Sequence, residues 1–110
     1  MVTITREQCL VELFKYYAQE SSITRPELGT LLGKSVGEMA AFHRDHNEAI
    51  GPWPRPMKKR IENRRCQYPE GLPGFEDFHL CGRMRTGNPL VCDIHEDKIW
   101  TIPECEEIKD

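Results

Sequence analysis

Three cysteines and a histidine constrain this chain more than any other feature. They are spaced C-x14-C-x10-C-x2-H from Cys66 through Cys81 and Cys92 to His95. Around them the sequence is rich in Gly, Pro and aromatic residues: Cys66-Gln-Tyr-Pro-Glu-Gly-Leu-Pro, then Asp77-Phe-His-Leu-Cys81-Gly, then Gly87-Asn-Pro-Leu-Val-Cys92-Asp-Ile-His95. Such a stretch has little periodic hydrophobicity and does not readily fold on core burial alone. Four soft or borderline donors are what a tetrahedral Zn²⁺ site needs. The closing C-x2-H pair is short enough to chelate one ion from a single turn. His79, close to Cys81, is a second candidate for the nitrogen ligand. Packed thiols or a redox pair are the alternatives to a metal.

At 110 residues, with 8 Gly and 8 Pro, the chain is one ordinary domain or two very small ones. Two small units, one stapled by metal, fit the composition better, because tiny cores need staples. No run of about 18 apolar residues is present, so no membrane span is expected. The opening Met1-Val-Thr-Ile-Thr-Arg-Glu lacks a signal-peptide pattern, so the expected location is cytoplasmic. In a reducing compartment, clustered Cys and His read as metal ligands before disulfides. Five cysteines is also an odd number for full pairing. Cys9 reads as a small buried apolar residue and Cys105 as a free thiol.

The helices are marked by three capping boxes, in which a hydroxyl and a Gln or Glu side chain satisfy free backbone N–H groups. Thr5 with Gln8 opens a helix over about residues 5–20, whose apolar face is Leu10, Leu13, Phe14 and Tyr17. Thr24-Arg-Pro-Glu27 opens a short helix that buries Leu28, Leu31 and Leu32 and ends at Gly33. Ser35-Val-Gly-Glu38 opens a third, burying Val36, Met39 and Ala40, with His43 on the same face, and running to His46 or Ala49. Two short helices joined by a Gly-containing turn, after a longer helix, make a helix-turn-helix pattern.

The expected fold is thus a small α unit plus a metal-stapled irregular module. Residues 1–50 form a three-helix helix-turn-helix unit, 51–65 a Pro-rich and basic linker, 66–100 the Cys/His zinc module, and 101–110 an acidic, frayed tail. The net charge of −3 is not that of a general nucleic-acid binder, but its distribution is uneven. Residues 55–65 carry +5 and residues 93–110 carry −5. The basic run reads equally as a solvated linker or as an arm that tracks DNA. Tyr68 and Trp100 are candidates for an exposed protein-binding patch, while Phe78 is expected to wrap the metal.

The C-terminal pattern resembles that of the GcrA family of bacterial cell-cycle transcription regulators. The family's Cys-x-aromatic-Pro-x-Gly-x-Pro element is matched by Cys66, Tyr68, Pro69, Gly71 and Pro73. Its Asp-Phe-x-Phe-Cys-Gly element is matched by Asp77, Phe78, Cys81 and Gly82, with Leu80 replacing the second Phe. Its Gly-x-Pro-Tyr-Cys-x-x-His element is matched by Gly87, Pro89, Cys92 and His95, with Leu90-Val91 in place of one Tyr and Trp100 following. The likeness covers roughly the last third of the chain. The family has no His where His79 stands, which favours His95 as the ligand.

The resemblance implies a small transcription regulator and no enzyme. A C-terminal module would bind the housekeeping sigma factor of RNA polymerase, and an N-terminal unit would touch double-stranded promoter DNA. Leu32-Gly33 matches the family's helix-turn-helix turn, but the third helix departs from its Thr-Arg-Asn start and His-Arg-Leu-Gly end. Arg25, Lys34, Arg44, Lys58, Lys59 and Arg60 are the candidate DNA contacts, whereas Glu38 and Asp45 oppose a phosphate backbone. The short linker suits a phage-borne or minimal member. The alternative is a protein-interaction module that binds polymerase or another host factor without touching DNA. A zinc nuclease built on His43-Arg-Asp-His46 and Cys92-Asp-Ile-His95 is disfavoured, because no His/Glu pair flanks an open metal position.

Overall fold

The computed structural model describes residues 3–20, 23–53, 65–85, 87 and 90–109. The first helix, α1 (Arg6–Glu20), starts where Thr5 Oγ1 accepts the Gln8 N–H at 3.0 Å. Its buried face comprises Leu13, Phe14 and Tyr17, as expected, widened by Cys9, Val11 and Ala18. Leu10 is only half-buried.

Both halves of the second capping box form ahead of α2 (Arg25–Leu32). Glu27 N–H donates to Thr24 Oγ1 at 3.3 Å, and Thr24 N–H donates to Glu27 Oε1 at 2.9 Å. The third box is likewise complete at Ser35 and Glu38, opening α3 (Val36–Asp45). α2 packs on α3 at Gly29, where an added Cβ would sit 2.8 Å from Met39 Cγ, so only a hydrogen there permits the approach.

One expectation for this region is corrected. Val36 is 62% exposed rather than buried, because Met39 and His43 supply the inward face. The third helix ends at Asp45 with His46 as its cap, the earlier of the two ends expected. His46 N–H bonds both Phe42 O and His43 O, tightening the last turn, and a separate α4 (Asn47–Ile50) follows. Phe14 then packs between Phe42 and Trp53, with ring centroids 4.7 and 6.2 Å away, and Trp53 Nε1 donates to Ile23 O at 3.1 Å.

The strands are two residues each. β1 (Ile4–Thr5) pairs in parallel with β4 (Ile108–Lys109), Ile4 opposite Ile108. The acidic C-terminal segment is therefore tied to the start of α1 rather than frayed. β2 (Pro69–Glu70) pairs antiparallel with β3 (His79–Leu80), and Arg65 bridges Met84 to extend the ribbon.

The core runs without interruption from α1, α2 and α3 into Cys66, Leu90, Val91, Cys92 and Trp100. The helices and the Cys/His segment, read from the sequence as two units, thus share apolar burial. No helix among the described residues is long and apolar enough to cross a membrane.

Candidate metal centre

The ribbon of 65–70 against 79–84 brings the first two cysteines together. Cys66 N–H donates to Arg83 O at 2.7 Å, Gly82 N–H to Cys66 O at 3.1 Å, and Cys81 N–H to Tyr68 O at 2.9 Å. Gln67 N–H reaches Leu90 O at 2.8 Å and draws in the following loop. That loop turns at Cys92, whose carbonyl accepts the His95 N–H at 3.1 Å.

The result is convergence of Cys66, Cys81, Cys92 and His95, whose ligand atoms all lie within 4.8 Å of one another. His95 Nδ1 is 3.3 Å from Cys92 Sγ and 3.5 Å from Cys66 Sγ, and Cys81 Sγ is 4.0 Å from Cys92 Sγ. A tetrahedral ion with metal–sulfur bonds of about 2.3 Å and metal–nitrogen bonds of about 2.0 Å sets S···N near ~3.5 Å and S···S near ~3.8 Å. The group has the size and donors to hold one metal ion. His79 stands outside it, exposed, with its ring Nδ1–H donating to Asp77 O at 2.9 Å.

Cys66 and Cys92 are buried, while Cys81 and His95 are partly exposed. Burial pushes the Cys66 thiol up and the Cys81 thiol up to about 12, and it lowers His95. Burial also pushes Cys92 upward, but the backbone N–H groups of His95 and Ile94, with the neighbouring thiols, outweigh it and hold Cys92 below its ordinary value. Several thiolates in so small a volume repel one another without a cation. A divalent ion reverses that balance and drives the protons off.

Tyr68 lies flat on the His95 ring, with centroids 4.2 Å apart and planes 4° from parallel. Tyr17, buried on α1, donates its hydroxyl to the carbonyl of Gln67, next to ligand Cys66. Neither tie is visible in the spacing of the ligands. The only hint is an aromatic two residues after Cys66 and a Tyr on an otherwise apolar helix face.

Other candidate contacts fall differently from expectation. Trp100 is 6% exposed and packed in the core, so it is no surface anchor. Phe78 packs on Tyr16 of α1, centroids 4.7 Å apart. Arg25 Nη1 donates to His43 Nδ1 at 2.8 Å, and His43 Nε2–H donates to Gly51 O at 2.7 Å. This chain requires the Nε2–H tautomer, since a guanidinium only donates and a carbonyl only accepts. Arg25 is thus engaged in holding α2, α3 and the segment after α4 together. Lys34 and Arg44 are exposed, with Arg44 Nε 3.7 Å from Asp45 Oδ1. Lys58, Lys59 and Arg60 lie outside the described residues. Cys9 is buried and Cys105 exposed, both as free thiols.

Comparison with family models, curated proteins and solved structures finds no match to this chain. The likeness to GcrA therefore rests on the quoted residues alone.

Proposed function

We propose that the chain is a small, zinc-stapled transcription regulator similar to GcrA, acting by binding and not by catalysis. The observation that carries this reading is the convergence of Cys66, Cys81, Cys92 and His95, whose ligand atoms lie within 4.8 Å of one another. These residues belong to all three elements that carry the resemblance. Zinc fits the donor set, three thiolates and one imidazole, and four protein ligands leave no open position for a reacting water.

In this reading the segment around the metal meets the housekeeping sigma factor. Its apolar surface is not Trp100 but Met84 and Ile94, 55% and 45% exposed. Met84 follows Cys81 by three residues, and Ile94 lies between Cys92 and His95. The α2–turn–α3 unit serves as a helix-turn-helix, with Lys34 and Arg44 at the two ends of α3 for phosphate contact. Lys58, Lys59 and Arg60 add sequence-independent affinity. Arg25 contributes through His43, by fixing the helices.

The interaction-only reading has one observation of its own. Val36 and Ile99, 62% and 60% exposed, lie beside the α2–α3 turn, where apolar groups suit protein better than phosphate. Two assays on the full chain decide. Pull-down of purified housekeeping sigma factor should succeed and be lost in Met84→Asp or Ile94→Asp with metal content unchanged; failure of the native chain sinks the sigma-factor reading. Gel shifts at low and moderate salt should show duplex binding with a salt slope that flattens when Lys58, Lys59 and Arg60 are changed to Glu. An unchanged slope favours the interaction-only reading.

A further inference from the structure

We infer that the metal centre controls the geometry of the α2–α3 turn, so that metal occupancy and the exposed α3 surface are thermodynamically coupled. The inference rests on the metal reading above and adds regulation to it.

A helix leaves its last carbonyls without internal partners. At the end of α2, Lys34 N–H donates to Gly29 O at 2.9 Å and Gly33 N–H to Thr30 O at 3.4 Å. Gly33 is left-handed, at φ 68°. This is the Schellman arrangement, which usually includes an apolar contact from the residue after the glycine. Here that residue is Lys34, which is exposed.

The missing parts come from the metal loop. Trp100 N–H donates to Leu31 O at 2.9 Å, satisfying the next free carbonyl of α2. Ile99 lies over the glycine: a Cβ on Gly33 would sit 3.0 Å from Ile99 Cγ2. Trp100 is buried in the same core as Leu31 and Leu32.

The connection back to the ligands is short. Lys98 N–H bonds to His95 O at 3.1 Å, and His95 N–H to Cys92 O, so consecutive turns lead from two ligands to Ile99 and Trp100. With little regular structure of its own, this loop depends on the ion to hold its turns in place. Metal binding therefore completes the cap of α2 and fixes where α3 begins, which is where Lys34 and Val36 are presented. By reciprocity, disturbing the α2 cap must weaken metal binding by the same factor.

The experiment measures zinc affinity of the full chain by competition with a chromophoric chelator, beside amide hydrogen exchange. Gly33→Ala alters the cap without touching the ligand loop's sequence, and Ile99→Asp removes the cover from the loop side. Each should weaken zinc binding by roughly 5-fold or more, the lower end of typical coupling factors. In zinc-loaded Ile99→Asp, exchange at the Gly33 and Lys34 amides should quicken while stoichiometry holds. Native zinc affinity in both variants would overturn the coupling and leave the metal site standing. A native chain that takes up no zinc would overturn both.

Discussion

Tyr68 stacks on His95 with the two ring planes nearly parallel and their centroids 4.2 Å apart. An imidazole donor is effective only when its ring is aimed, and the groups that aim it are part of the site. Tyr68→Ala should therefore weaken metal affinity by about 2- to 10-fold, from the ~0.5–1.5 kcal/mol such ring pairs contribute. Tyr68→Phe should restore it, since the ring and not the hydroxyl makes the contact. Equal loss in both variants, by chelator competition, would assign the effect to something other than stacking.

The Tyr17 hydroxyl is the bolt between α1 and the first ligand strand. Tyr17→Phe leaves the Gln67 carbonyl without that donor in a buried setting. The expected cost is about 1–3 kcal/mol of stability, read as a lower denaturation midpoint with unchanged metal stoichiometry. An unchanged midpoint would mean that the carbonyl finds another partner.

Cys9, buried on α1, has its thiol raised to about 11 by burial first and the nearby Cys105 second. A folded value above the unfolded one means that stability is intact below the ordinary thiol range, near pH 9, and falls as pH rises toward 11. Cys9→Ala loses packing at every pH but removes this titration. The stability gap between native chain and variant should therefore shrink from pH 9 to 11, as measured by denaturant titration. A constant gap would contradict the assignment.

Local signals in the sequence read through to the structure where the chemistry is local. Thr24 with Glu27 and Ser35 with Glu38 cap their helices because each pair spans one turn. Cys66, Cys81, Cys92 and His95 are legible as a group because their donor types suit one metal centre, and their ligand atoms do lie within 4.8 Å of one another. What was hidden depends on partners distant in sequence. Trp100 reads as exposed because nothing local shows that Leu31 accepts its N–H. The acidic tail looked frayed because a two-residue strand pairing with Ile4 has no period to read. Val36 sits in an apolar position of the helix pattern yet faces out, since Met39, against Gly29, and His43, bonded by Arg25, already fill the side toward α2.

The metal centre is tested by native mass spectrometry of the full chain purified without added metal, compared with Cys92→Ser. The expected result is one Zn²⁺ per native chain and loss of that mass in the variant. A native chain that is folded by circular dichroism yet carries no metal, even after incubation with zinc, would rule out the metal centre.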